Sequence, residues 1–215
     1  MRMEYLNKYL AMLNLNNMTG HSAKSHKIIR KKQSLNLDEY HHPIEKINQL
    51  KKFNFNNFKI LELFAGKGNL SKYYNSISNN VLSLSKETTG DSFEYIYKIR
   101  SERKKFDLID IDSYGYPDKF FPVVFDCLKD NSYLIFTFPV VGVNCLNGIM
   151  EQHFINFWRS ARPTIGDVVG TITDSSLRNW QLAKLVDVVK IKRIWRFVFY
   201  IEKQKATELC NVKNR

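Results

Sequence analysis

From residue 58 to residue 140 the chain alternates short runs of β-branched, leucine and aromatic residues with amphipathic stretches, a pattern that few folds satisfy. The apolar runs predict strands at 58–63, Asn80–Leu84, Phe106–Asp112 and Tyr133–Phe138, and the stretches between them predict helices at Leu70–Ile77, Ser92–Ser101 and Lys119–Leu128. Parallel neighbours need a crossover connection, so strands separated by helices imply a parallel sheet. Ahead of the first strand, Pro43 suits a first helical turn. Ile44, Ile47 and Leu50 then recur at helical spacing, so a helix leading into the first strand is expected. Toward the other end, Leu185–Ile191 and Ile194–Ile201 are separated only by Lys192-Arg193, the spacing of an antiparallel hairpin. Between the parallel strands and the hairpin, helices are expected at Gly148–Arg159 and Ser175–Leu182. The fold class expected is α/β, an open and mostly parallel sheet that ends in an antiparallel hairpin.

At 215 residues, with 44% hydrophobic and 13% aromatic content, the chain can build one core but not two. Residues 1–42 read as a basic N-terminal extension: a short amphipathic helix from Tyr5 to Leu15, a Thr19-Gly20 break, and a basic arm from Lys24 to Lys32. Residues 43–205 are the expected domain and 206–215 a C-terminal tail. A net charge of +12 with pI near 9.5 favours a polyanionic partner, nucleic acid first among them. The plainer alternative is a chain that is basic only because its composition is rich in lysine and asparagine.

Cys127, Cys145 and Cys210 form no C-x-x-C pair and are odd in number, so neither a disulfide framework nor a zinc site is expected. They point to a reducing, cytoplasmic setting. The first 18 residues lack a signal peptide's apolar core, and no run of apolar residues is long enough to cross a bilayer, so no membrane partner is expected. The five histidines show no metal-ligand spacing, so no metal is assigned.

Two strand endings carry the chemistry. In Glu62-Leu-Phe-Ala-Gly-Lys-Gly68 the strand gives way to a glycine turn and a helix, which allows close backbone approach to a ligand beside unpaired helix N–H groups. The dinucleotide fingerprint is incomplete, since Ser71 stands where its third glycine belongs. In Asp110-Ile-Asp-Ser-Tyr-Gly-Tyr-Pro117 an apolar strand ends in two carboxylates and breaks into an aromatic, glycine and proline loop.

These segments resemble the first and fourth motifs of class I S-adenosylmethionine methyltransferases, which have a Rossmann-like fold. The second has the form seen in tRNA guanine-N2 dimethyltransferases, Asp-(Leu/Ile)-Asp-Pro-(Phe/Tyr)-Gly-Ser-Pro, and in small phage-encoded methyltransferase-like proteins. The resemblance covers about residues 58–140 and departs from the pattern at Ser113 and Tyr116. It implies S-adenosylmethionine as cofactor, with Glu62 at its amino-acid end, Phe64 flanking it, and Gly66 and Gly68 beneath it. At the end of the second strand Ser85 replaces the expected acid, and Glu87 stands two residues on as a substitute or as an exposed loop residue. Gly90-Asp-Ser-Phe-Glu-Tyr-Ile96 resembles the adenine-contacting motif, with Asp91 facing the exocyclic amine and Ser92 beside it. Asp91 serves equally well as a helix N-cap.

The resemblance also implies a reaction. Methylating an exocyclic amine requires an acceptor to hold the N–H while the ring is clamped, because positioning supplies much of the rate. Asp112 is the expected acceptor, Tyr114 the stacking ring and Pro117 the stiffener of their loop, with Asp110 as support at the cofactor edge. A helix cap and a packed ring are the plainer readings of Asp112 and Tyr114. Candidates for phosphate grip and stacking are the Lys24–Lys32 arm, which reads equally as a solvated tail, and Arg100–Lys105 and Trp158-Arg159 with Arg162, for which an ordinary solvated face is the plainer reading. The leading function is therefore methyl transfer to an exocyclic amine of a DNA or RNA base. Ser85 and Ser113 keep open a catalytically inactive nucleic-acid-binding or assembly subunit, and a protein or small-molecule acceptor is a third possibility.

Overall fold

The computed structural model describes residues 42–85, 91–113, 115–140 and 149–203. Apart from His42 these belong to one compact unit of the chain, Pro43–Arg215. Glu87, Tyr114, the basic arm and the C-terminal tail lie outside the described residues.

In chain order the elements are α1 (Pro43–Leu50), β1 (Ile60–Leu63), α2 (Asn69–Ile77), β2 (Val81–Leu84), α3 (Ser92–Ser101) and β3 (Phe106–Ile111). A 3-10 turn (Asp118–Phe120) leads into α4 (Phe121–Cys127) and β4 (Leu128–Pro139), followed by α5 (Ile149–Trp158), α6 (Ile165–Leu177), β5 (Gln181–Ile191) and β6 (Ile194–Lys203). The sheet has six strands in the order β2-β1-β3-β4-β6-β5; the first four are mutually parallel, and β6 runs antiparallel to both its neighbours, β4 and β5. The expected α/β architecture is therefore the observed one.

The sheet has two dissimilar faces because alternate residues of a strand point to opposite sides. Leu61, Leu63, Ile109, Ile111, Leu134, Phe136, Phe197 and Phe199 belong to the larger core, closed by side chains of α3, α4, α5 and α6. Stacked Phe136, Phe197 and Phe199 run through its middle, with Phe136 and Phe197 centroids 5.1 Å apart. On the other side Ile60, Leu108, Ile135 and Val198 pack with Leu50, Phe55, Leu70 and Tyr74 in a smaller core. Glu62, Asp110, Ile135 and Val198 are successive register partners, so two acids lie in line with that smaller core.

The apolar spacing of α1 does not mark its buried face, and one expected helix is corrected. Ile44 is 70% exposed, whereas Lys46, Gln49 and Leu50 form the buried side of α1. The helix is turned so that Gln49 Nε2 reaches both Arg196 O and Asp187 Oδ2 at 3.1 Å, and so that Lys46 reaches the end of β3. Polar partners outweigh the single apolar residue at Ile44. Nor does a helix span Ser175–Leu182. The helix is Ile165–Leu177, started by a capping box in which Thr164 Oγ1 accepts from Asp167 N and Asp167 Oδ2 accepts from Thr164 N. Gln181 already belongs to β5, opposite Lys203, because the sheet extends farther than its apolar centre.

Candidate active site

The carboxyl ends of β1, β2, β3 and β4 share one edge of the sheet, as the register pairs Leu63 with both Leu84 and Ile111, and Ile111 with Phe136. Open parallel sheets bind ligands in crevices at that edge. Beyond β1 the chain turns sharply: Phe64, Gly66 and Gly68 have φ of +68°, +51° and +75°. Ala65 N donates to Leu84 O at 2.8 Å, which holds the turn against β2. Gly68 caps α2 without a side-chain hydrogen bond, so no capping side chain among the described residues covers the first N–H groups of that helix.

Glu62 points from β1 into the same region. Ser71 Oγ and Ser83 Oγ both donate to its Oε2 at 2.6 Å, and no donor among the described residues reaches Oε1. Burial raises the Glu62 pKa, and the two serine hydroxyls partly offset it. A buried carboxylate with one open oxygen, beside an uncapped helix N-terminus, fits the ammonium and carboxylate of an amino-acid group.

The second wall is aromatic. The Phe64 ring meets Phe120 edge-on at 5.4 Å and Phe120 meets Phe93 at 5.9 Å, so the β1 turn and the start of α3 are joined through the 3-10 turn. Asp91 is exposed and caps α3 by accepting from Phe93 N at 2.7 Å; Ser92, next to it, is buried. Lys119 Nζ lies 5.2 Å from both the Phe93 and Phe120 ring centres. Ser85, at the end of β2, is buried.

At the end of β3 the two aspartates have different surroundings. Asp110 is fully buried, ion-paired with Arg196 of β6, and accepts from Tyr74 Oη at 2.6 Å. Its Oδ1 and the Arg196 Nε have no hydrogen-bond partner among the described residues. Burial raises the Asp110 pKa against the opposing pull of Arg196. For Arg196 burial acts downward, but Asp110 and Asp112 outweigh it and keep the guanidinium charged. Asp112, two residues on, receives Lys46 Nζ at 2.6 Å on both oxygens and Thr137 Oγ1 at 2.7 Å on Oδ1. The Arg196 guanidinium stands 3.8 Å away. Burial acts upward on Asp112, but the Lys46 and Arg196 charges outweigh it and hold its pKa below the ordinary carboxylate value.

That lowered value has a sign. A carboxylate whose pKa falls on folding contributes stability above its unfolded value of about 3.9, lost as pH drops through the folded value. Glu62 and Asp110, both raised, act in the opposite sense. The wild-type chain is therefore expected to lose stability relative to a Lys46→Met/Asp112→Asn variant as pH is lowered from 7 toward about 3. Urea unfolding across that range checks this, and a constant difference would refute it.

The loop after Asp112 is short and tied to itself, with Ser113 Oγ donating to Gly115 O at 2.6 Å. Tyr116 packs on Phe154 at 4.4 Å and Phe138 at 5.3 Å, and buried Pro117 starts the 3-10 turn. The structure thus brings Glu62, Gly66, Gly68, Asp110 and Asp112 to one edge, with Phe64 and Asp91 joined through the aromatic wall.

Lys46, Tyr74, Thr137 and Arg196 were not singled out from sequence. Arg196 left a signal there, a lone cation inside the apolar run Ile194–Ile201. Trp158 does not serve as a stacking surface: it is fully buried against Phe121, Phe138 and Phe157, and Arg159 pairs with Asp174. Arg100–Lys105 precedes β3 and so lies at the opposite end of the sheet from Asp112. Among the described residues no group of three metal-binding side chains occurs, and no helix is long and apolar enough to cross a membrane.

No protein-family model and no curated protein matches the chain. Solved structures do match its fold. Trm1 from Pyrococcus horikoshii, in complex with S-adenosyl-L-methionine, aligns with TM-score 0.53 and 15% identity over 70% of this chain and 52% of that one. The chain thus spans about half the length of that protein. A Listeria monocytogenes protein, provisionally assigned as an S-adenosylmethionine dependent methyltransferase, aligns with TM-score 0.51 and 14% identity over 76% of this chain and 98% of that one. The fold is that of the S-adenosylmethionine-dependent methyltransferases.

Proposed function

We propose that the chain is an S-adenosylmethionine-dependent methyltransferase whose acceptor is an exocyclic amine of a nucleic-acid base. The observation that carries this reading is the meeting, at one sheet edge, of an open-sided glutamate, an uncapped helix N-terminus and an aspartate at the end of β3. When bound, the cofactor supplies a methyl group already activated by its sulfonium. Glu62, Gly66 and Gly68 would hold its amino-acid end, Phe64 would flank it, and Asp91 and Ser92 would face its adenine. Asp110, locked by Arg196 and Tyr74, keeps the β3 end in place. Asp112 would accept the N–H of the target amine, with Tyr114 and Pro117 shaping the loop that holds the ring. The net positive charge supports a nucleic-acid acceptor.

A second reading is favoured by one contact. Lys46 already occupies both oxygens of Asp112, which suits a methyltransferase fold that binds nucleic acid without catalysis. Labelled S-adenosylmethionine incubated with mixed RNA and DNA, followed by nucleoside digestion and mass spectrometry, separates the two. A methylated base supports the enzyme; tight nucleic-acid binding without label supports the inactive form. Absence of cofactor binding in calorimetry sinks the enzymatic reading outright. In the same assay Gly68→Val is expected to weaken cofactor binding, and its left-handed φ of +75° predicts a stability cost of about 1–2 kcal/mol.

A further inference from the structure

We infer that the tip of the β5–β6 hairpin, with the groove it forms against α1, is the surface that grips the phosphate backbone of a nucleic-acid strand. This rests on the nucleic-acid reading above and adds where the strand lies. Lys190, Lys192 and Arg193 are exposed at the tip, and among the described residues they make no ion pair. Thr137 pairs with Arg196 and Pro139 with Ile194, so the antiparallel hairpin places its tip at the same sheet edge as Asp112. Val140 N donates to Arg193 O at 2.7 Å, which ties the tip to the strand that carries Thr137.

Beside the tip runs an open groove of about 390 Å³, lined by Lys190, Lys192, Asn48, Gln49 and Lys52, the last paired with Asp187 at 3.0 Å, with Glu45 its one lining acid. Gln49 and Lys46 lie on the same helix, so the groove passes close to the Lys46–Asp112 pair. Lys192 also holds a φ of +49° at a turn position where glycine or asparagine is the ordinary choice. A charged side chain there breaks the local rule at the place where charge is of use.

The opposite end of the sheet differs. Arg100 pairs with Asp126 at 2.7 Å, Lys104 with Glu102 at 2.7 Å, Lys129 with Asp107 at 2.8 Å and Lys203 with Asp130 at 3.6 Å. Those four cations are neutralised locally, whereas the three at the tip are left for an external anion. Released counterions then supply affinity that falls with salt.

The test titrates the full chain with fluorescein-labelled single-stranded RNA, and DNA of the same sequence, at several salt concentrations. The triple variant Lys190→Glu/Lys192→Glu/Arg193→Glu is expected to bind about tenfold or more weakly. Its slope of log K against log salt should fall by about 2–3, near one per lost phosphate contact. Arg103→Glu/Lys104→Glu/Lys105→Glu, at the other end, should leave both nearly unchanged. Lys192→Gly guards against a folding artefact, since relief of the turn should raise the thermal midpoint while weakening binding. Equal binding by wild type and the tip variant overturns the placement alone, as does loss confined to the Arg103–Lys105 variant. Failure of wild type to bind either oligonucleotide overturns this inference and the nucleic-acid reading together, and leaves cofactor binding to be judged on its own.

Discussion

Arg196→Met is expected to destabilise the protein by about 3–5 kcal/mol, the cost of removing one partner from a buried ion pair. The arginine is fully buried, and its loss leaves Asp110 with Tyr74 Oη as its one donor among the described residues. The uncompensated carboxylate would take up a proton, so the loss should be smaller at acid pH and larger near neutrality. An Asp110→Asn/Arg196→Met double variant should recover at least half of the loss, because a neutral pair no longer strands a charge and asparagine can still accept from Tyr74. Urea unfolding of the four corners of this cycle gives the coupling directly. A cost below about 1 kcal/mol for the single variant, the size of a surface pair, would show that the network is not buried in solution.

Asp112→Asn should lower methyl transfer by about 100-fold or more, the cost of a misplaced reacting group, while cofactor affinity is retained. Asparagine presents one acceptor where aspartate presents two, and it removes the charge that orders the N–H. Lys46→Met acts on the same carboxylate from the other side. Lys46 Nζ sits 2.6 Å from each Asp112 oxygen, so an incoming amine competes with it. Removing the ammonium is expected to lower KM for the nucleic-acid acceptor and to lower stability as well, since Asp112 loses its closest cation. Steady-state kinetics with the RNA or DNA acceptor read both effects. Full transfer by Asp112→Asn would remove that residue from the chemistry and point to acceptor groups elsewhere at the edge.

The elements that could be read from sequence are those whose cause is local. The β1 and β3 endings announced themselves through glycines after one apolar run and carboxylates after another, and both lie at the carboxyl edge of the sheet. The Lys192-Arg193 turn is where the chain reverses. The capping box at Thr164 and Asp167 is equally local, and it marks the start of a helix that apolar spacing alone places later.

Lys46 belongs to another category. Helical spacing at Ile44, Ile47 and Leu50 favoured one face, and the structure turned α1 to another because the partner of Lys46 is 66 residues away. Arg196 and Asp110 are 86 residues apart, and nothing in the neighbourhood of either names the other.

What the sequence by itself determined is the alternation that makes a parallel sheet, the hairpin that closes it and the chemistry placed at its strand ends. Backbone geometry and hydrophobic period act over a few residues and are written in consecutive letters. Only the tertiary structure decided which charges meet. It placed Arg196 against Asp110 and Lys46 against Asp112, buried Trp158, and left Lys190, Lys192 and Arg193 at the hairpin tip without an ion pair among the described residues. Those pairings follow from strand order and register, and a buried charge selects its partner by distance in space, where separation along the chain carries no weight.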